Sequence, residues 1–268
     1  MSYLNKKFLL LLVVAISGLT LTAQTPYSRL ELKADRFFEQ KEWSQAAATY
    51  YQMLEIKPEV AATYGKAIVA NAVKGDTIAE MDLMVRALNA KIPFDSVLSR
   101  VRMTSFQLGK SNLYGDFLLR VKDAYPWMRR PIDNYLLRYY IYRQDGVKMI
   151  EYSQMMLQGD PSNIQFLLSL AQGAMLCGNF DEGIRAYETI LSVSPEYYDA
   201  LLALGNYYYI ENRTAVEAQA KDEKQLMRLL PTGPYAEKAL SYLSRANSLR
   251  PTPYVASQIT ALTPQNRH

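Results

Sequence analysis

Apolar residues recur at helical spacing along most of the chain, in segments of about a dozen residues that end at proline. The clearest run is Ile164 to Tyr197, where Leu167, Leu170, Ala171 and Ala174 make one stripe and Tyr187 and Ile190 make another beyond Gly178 and Asn179. Pro58, Pro93, Pro126, Pro161 and Pro195 follow one another at intervals of 35, 33, 35 and 34 residues. Proline cannot continue a helix and biases the residue before it away from helical geometry, so each marks a break between helices. Gly75, Gly109 and Gly178 fall inside these intervals and suit the left-handed turn that ends one helix before a second returns. The pattern predicts an all-α chain built from a repeated pair of antiparallel helices. The first unit shows the scheme with Leu30, Ala34 and Phe37, then Ala46, Tyr50 and Met53, then Pro58. Small residues at Ala34, Ala171 and Gly205 let paired helices approach closely.

Leu170-Ala171 with Tyr187 and Pro195, Leu204-Gly205 with Tyr208, and Ala34 with Phe37, Ala46, Tyr50 and Pro58 resemble the signature of the tetratricopeptide repeat family. The likeness runs from Tyr27 to Pro251 and is weaker in the middle, where Ile68 and Glu80 stand at positions that are usually small. It implies a right-handed superhelical solenoid of about six helix pairs, at about 27–60, 61–94, 95–129, 130–163, 164–197 and 198–252. The last unit is longer, since Pro251 lies 56 residues after Pro195. The surplus is an insertion over 212–233. Thr214 to Leu230 has no Gly or Pro, and Val216, Ala220, Met227 and Leu230 share a face, which predicts an added or prolonged helix. From Pro251 to His268 the chain is expected to cover the last apolar face and then fray.

The resemblance further implies that the first helices line a concave wall on which protein segments dock. By family position the wall residues are Asn134, Arg138 and Ile141, with Tyr142 at the edge; then Gln165, Leu168, Gln172 and Met175; then Asp199, Leu202, Asn206 and Tyr209. Amides and a guanidinium offer hydrogen bonds to an extended backbone, and Leu168, Met175 and Tyr209 offer apolar contact. The bland alternative is a solvated surface. In the unit from Ala61 the same positions hold Ala62, Gly65, Val69 and Ala72, an apolar wall suited to being covered by another element.

Lys6 and Lys7 precede an apolar run from Phe8 to Leu21, and Ala23 offers a small residue for cleavage, so residues 1–23 read as a secretory signal peptide. Its removal leaves 28 basic against 26 acidic groups, a balance with no special attraction for nucleic acid or anionic lipid. The one His is the last residue, His268, and Cys177 is the one Cys. That excludes Ser-His-Asp and Cys-His catalysis, His-ligated zinc and an intramolecular disulfide. No Gly-rich phosphate loop or nucleophile elbow is present. Carboxylate pairs such as Glu80-Asp82 and Asp181-Glu182 stand at second-helix starts, where capping and the helix dipole account for them.

The expected function is therefore a non-catalytic interaction scaffold of the cell envelope, exported to the periplasm or envelope, with no cofactor and no metal. Its partner would be a protein or peptide held in an envelope complex, or a second copy docked through the inserted helix. A glycan or cell-wall module stacking sugars on the tyrosine runs Tyr139-Tyr140-Ile141-Tyr142 and Tyr207-Tyr208-Tyr209, with Tyr142 and Tyr209 as the groove-facing members, is the alternative. Arg129, Arg130, Arg138 and Arg143 form the densest basic stretch, an anion clamp or solvated charge. Cys177 is expected to pack as a small apolar residue. Asn212-Arg213-Thr214 matches a glycosylation acceptor pattern.

Overall fold

The computed structural model describes residues 25–220 and 233–263. The predicted leader at 1–23, the second half of the predicted inserted helix and the extreme C-terminus lie outside the described residues. Among the described residues the regular elements are α-helices and a single 3₁₀ turn, Pro126–Met128, with no strand. In chain order the helices are α1 (Pro26–Glu39), α2 (Trp43–Ile56), α3 (Ala61–Lys74), α4 (Thr77–Asn89), α5 (Phe94–Gln107), α6 (Ser111–Ala124), α7 (Arg129–Arg143), α8 (Gly146–Leu157), α9 (Ile164–Leu176), α10 (Phe180–Val193), α11 (Tyr198–Gln219), α12 (Pro234–Leu249) and α13 (Pro253–Leu262). No helix among the described residues is long and apolar enough to cross a membrane.

A single turn geometry joins the two helices of each of the first five pairs. A residue with positive φ sits in each turn: Lys41 at 62°, Gly75 at 76°, Gly109 at 67°, Gln144 at 52° and Gly178 at 73°. The following amide then bonds back five residues, Glu42 to the Phe37 carbonyl, Asp76 to Asn71, Lys110 to Ser105, Asp145 to Tyr140 and Asn179 to Ala174. This is the Schellman closure, which satisfies a carbonyl left over at the helix end and reverses the chain. Three of the five turns use glycine, as the sequence predicts. Lys41 and Gln144 reach the same conformation against the roughly 1–2 kcal/mol that a Cβ costs there. Gln144→Gly should therefore stabilise the protein by about 0.5–1 kcal/mol once the greater freedom of unfolded glycine is subtracted, read from the urea midpoint.

The chain divides into two compact units, one ending at Pro126 and the other starting at Trp127. In the first, α1 packs on α2, α2 on α3, and α3 on α4, α5 and α6. Ala34, Tyr50, Tyr64, Ile68, Leu83, Leu98 and Phe117 are buried between them. A polar node ties the first pair to the second: the Asp35 carboxylate accepts from the Tyr50 hydroxyl at 2.9 Å and from the Lys66 ammonium at 2.7 Å. Burial, reinforced by the Asp35 charge, pushes the Tyr50 hydroxyl far above its ordinary value, so it stays a donor. The apolar wall anticipated on α3 is covered by α5: Val69 is fully buried, and a Cβ on Gly65 would lie 2.5 Å from the Arg100 Cβ.

Glu80, assigned by sequence to helix-start electrostatics, does something else. Asp76 caps α4 by accepting from the Ala79 amide at 3.1 Å. The Glu80 side chain is buried and receives the Arg120 guanidinium from α6 at 2.6 Å, a cross-link between the second helices of consecutive pairs. An ion pair here occupies the space that small residues fill elsewhere.

In the second unit, consecutive helices from α7 to α13 pack in succession. Leu167, Leu170, Ala171, Tyr187, Ile190, Leu204, Tyr208, Ala239, Leu243, Val255 and Leu262 share one core. Glycines set the closest approach of α8 and α9, where a Cβ on Gly173 would fall 2.8 Å from the Met149 Cβ. Helix α11 runs unbroken through Gln219, prolonged beyond the length of the other first helices, while 221–232 of the predicted insertion lies outside the described residues. Asn212 is buried in mid-helix, which removes it as a glycosylation acceptor of the folded chain. Helix α13 covers the end of the core through Val255 and Leu262. Cys177, expected to pack as a small apolar residue, sets its sulfur against Gly146, 2.7 Å from where a Cβ there would fall, yet the residue as a whole is exposed at the helix end.

Candidate functional site

The first helices of the second unit carry the surface that the sequence singles out. On α7, Arg138 follows Asn134 by four residues, one helical turn, so both project from one face beside Ile141. Helix α9 enters this face at its N-terminus. There Asn163 caps the helix, accepting from the Gln165 and Phe166 amides at 3.1 and 3.3 Å, while its own amide donates to Asp160 at 3.0 Å. Ser169 bonds back to the Gln165 carbonyl at 2.8 Å, which fixes its side chain against the helix.

Between the two lies a pocket of about 230 Å³ lined by Asn134, Leu137, Arg138, Ile141, Asn163, Gln165, Phe166 and Ser169. Its volume is below the roughly 300–1,000 Å³ typical of small-molecule sites and fits one or two side chains of a bound segment. Leu137, Ile141 and Phe166 provide the apolar wall, and the amides with one guanidinium provide the polar rim. The side chains of Asn134, Arg138 and Gln165 make no hydrogen bond or ion pair within the described residues, so their donors are available to a ligand. No carboxylate, thiol or imidazole lines the pocket, and the described residues hold no group of three or more metal-ligating side chains.

Of the wall residues expected from sequence, Asn134, Arg138, Ile141 and Gln165 therefore meet in one pocket. Gln172 is exposed two turns further along α9, and Tyr142 stands exposed at the end of α7. Leu168, Leu202 and Tyr209 are half-buried and pack against the shared core. Met175 turns toward α10, where its thioether and methyl lie 3.1–3.2 Å from the position of a Cβ on Gly183. Asp199 is exposed at the start of α11. Asn206 accepts a hydrogen bond from Gln258 of α13 at 3.0 Å, so the chain's own last helix occupies that position. Leu137, Asn163, Phe166 and Ser169 were not singled out by sequence. Asn163, an amide directly ahead of an apolar helix, carried a cap signal that could have located the pocket mouth.

No family model matches the chain, and no curated protein matches its sequence. Among solved structures it is similar to a tetratricopeptide repeat protein from Parabacteroides merdae, 14% identical over 88% of this chain and 98% of that one, with a TM-score of 0.39. It is similar also to pilF of Pseudomonas aeruginosa, 13% identical over 88% and 97%, TM-score 0.43, and to a TPR repeats protein from Bacteroides fragilis, 16% identical over 89% and 98%, TM-score 0.37. The chain's own geometry, helix pairs closed by one recurring left-handed turn and packed in succession within each unit, makes it an all-α protein of repeated helix pairs.

Proposed function

We propose that the protein is a non-catalytic interaction scaffold that grips an extended segment of a partner protein in the α7–α9 pocket. The observation that carries this reading is the convergence of Asn134, Arg138 and Gln165, with uncommitted donors, around an apolar pocket sized for a side chain. Amides and a guanidinium recognise backbone carbonyls, and Leu137, Ile141 and Phe166 desolvate those bonds. The leader-like residues 1–23 support export, which places the partner in the cell envelope on this reading.

The triple change Asn134→Ala, Arg138→Ala and Gln165→Ala tests it. These side chains make no internal bond, so the thermal midpoint should stay within a few degrees, while affinity for a protein recovered by proximity cross-linking in the native envelope should fall at least about tenfold, equivalent to 1.4 kcal/mol. An unchanged partner set would rule the pocket out as the docking point.

A further inference from the structure

A second surface of the same unit has the opposite chemistry. Phe180 at the start of α10, Tyr207 and Tyr208 on α11 and Tyr235 at the start of α12 form a continuous row of rings, with successive centroids 5.5, 5.3 and 6.2 Å apart. Tyr208 lies buried at the base, stacked also on Tyr242 at 6.0 Å with an interplanar angle of 8°. The ends of the row are open: Phe180 is 45% and Tyr235 42% exposed, and Tyr207 between them is half-buried.

Two carboxylates flank these rings. Asp181 follows Phe180, and Glu211 stands one helical turn beyond Tyr207; neither makes a hydrogen bond or ion pair among the described residues. Burial, then the Glu211 charge, with Asp181 the smallest contribution, raises the Tyr207 hydroxyl above its ordinary value. The chain itself already sets a cation on this row, since the Lys238 ammonium sits 4.8 Å from the Tyr208 centroid.

We propose that the row is a binding surface for a cationic side chain, arginine or lysine, of a partner protein. Ring faces carry negative partial charge, and the two uncommitted carboxylates outnumber the one resident ammonium of Lys238, so a net negative charge and the ring faces both attract a further cation. A sugar would gain from the ring faces but nothing from the net charge. The surface is independent of the α7–α9 pocket, whose one charged group is Arg138, and selects for the opposite sign.

The probe is an acetylated, amidated hexa-arginine peptide titrated into the full-length protein, with tyrosine ring resonances as readout. Saturable shifts are expected, with affinity reduced at least tenfold by Asp181→Asn with Glu211→Gln. The same loss is expected from Tyr207→Leu with Tyr235→Leu, which keeps apolar volume and removes the ring faces. The triple variant of the α7–α9 pocket should bind the peptide as the parent does. Peptide binding that is absent, or that neither pair alters, overturns the proposal. So does a stronger response of the same rings to neutral cellotetraose.

Discussion

Arg120→Met should destabilise the protein by about 3–5 kcal/mol, the cost expected when one member of a buried ion pair is removed and the other stays behind. The asymmetry of the pair motivates this choice: the Glu80 side chain is 1% exposed, while Arg120 keeps 30% of its surface in water. Without the guanidinium, α4 carries a carboxylate into the interior with nothing to compensate it. Replacing both, Glu80→Leu with Arg120→Met, should be near neutral or stabilising, because the pair has itself been taken from water at high cost. A single-variant loss below about 1 kcal/mol in urea unfolding would show that the pair is not the link between α4 and α6.

The same pair sets a pH signature. Burial holds the Glu80 carboxyl above its ordinary value, Arg120 pulls it down through a hydrogen bond and its charge, and Asp116 and Asp76 push it up. A raised carboxyl means that the folded chain binds this proton more tightly than the unfolded chain. The contribution of Glu80 to stability therefore falls as pH rises from the ordinary glutamate value through the raised one. Taking Arg120 away raises the carboxyl further, so the deficit of Arg120→Met relative to the parent should be smaller near about pH 5 than near about pH 8. A deficit that does not change with pH would place the loss elsewhere.

Gly65→Ala carries the second large effect and pits two quantities against each other. Alanine is favoured over glycine in a helix interior by about 0.8–1.0 kcal/mol. Against that, the new methyl would lie 2.5 Å from the Arg100 Cβ and 2.9 Å from its carbonyl carbon, and the backbone of α5 cannot move aside as a side-chain tip can. Overpacking of this kind costs about 1–3 kcal/mol, and here it should prevail, lowering the thermal midpoint by several degrees. Gly205→Ala is the milder comparison, since its nearest contacts, at 2.7 and 2.8 Å, are with the Cδ2 and Cγ of the Leu243 side chain, and the backbone nitrogen stands back at 3.2 Å. A stabilised Gly65→Ala would mean that α3 and α5 are not held at this distance.

The helix pairs were legible because proline and glycine punctuate the chain at a constant interval, and backbone constraints of that kind are local. Three turns escaped the reading: Lys41, Lys91 between α4 and α5, and Gln144 are in the same left-handed conformation as the glycines, but neither residue type announces it. Glu80 was visible as a residue too large and too polar for its place, yet its partner Arg120 is 40 residues away, and sequence gives no distance between them. The candidate site divides in the same manner. Asn134, Arg138, Ile141 and Gln165 were found because the family resemblance assigns those first-helix positions to the wall, and helical spacing then puts the first three on one face of α7. Met175 and Asn206 were read as wall residues, but they are committed to Gly183 and Gln258, contacts decided by how α10 and α13 pack. Two rings of the aromatic row, Tyr207 and Tyr208, stood out as part of a tyrosine run, but Phe180 and Tyr235 come from other helices and join them only when these are stacked.

A photo-activatable residue placed at Arg138, at Gln172 or at exposed Glu188 on α10 tests the central claim, that the first helices of the second unit grip a partner. Irradiated in the native envelope, the chain labelled at 138 or 172 should cross-link to a common protein that the 188 variant does not capture. Capture of that protein from 188 alone, or equally from all three, would contradict the account.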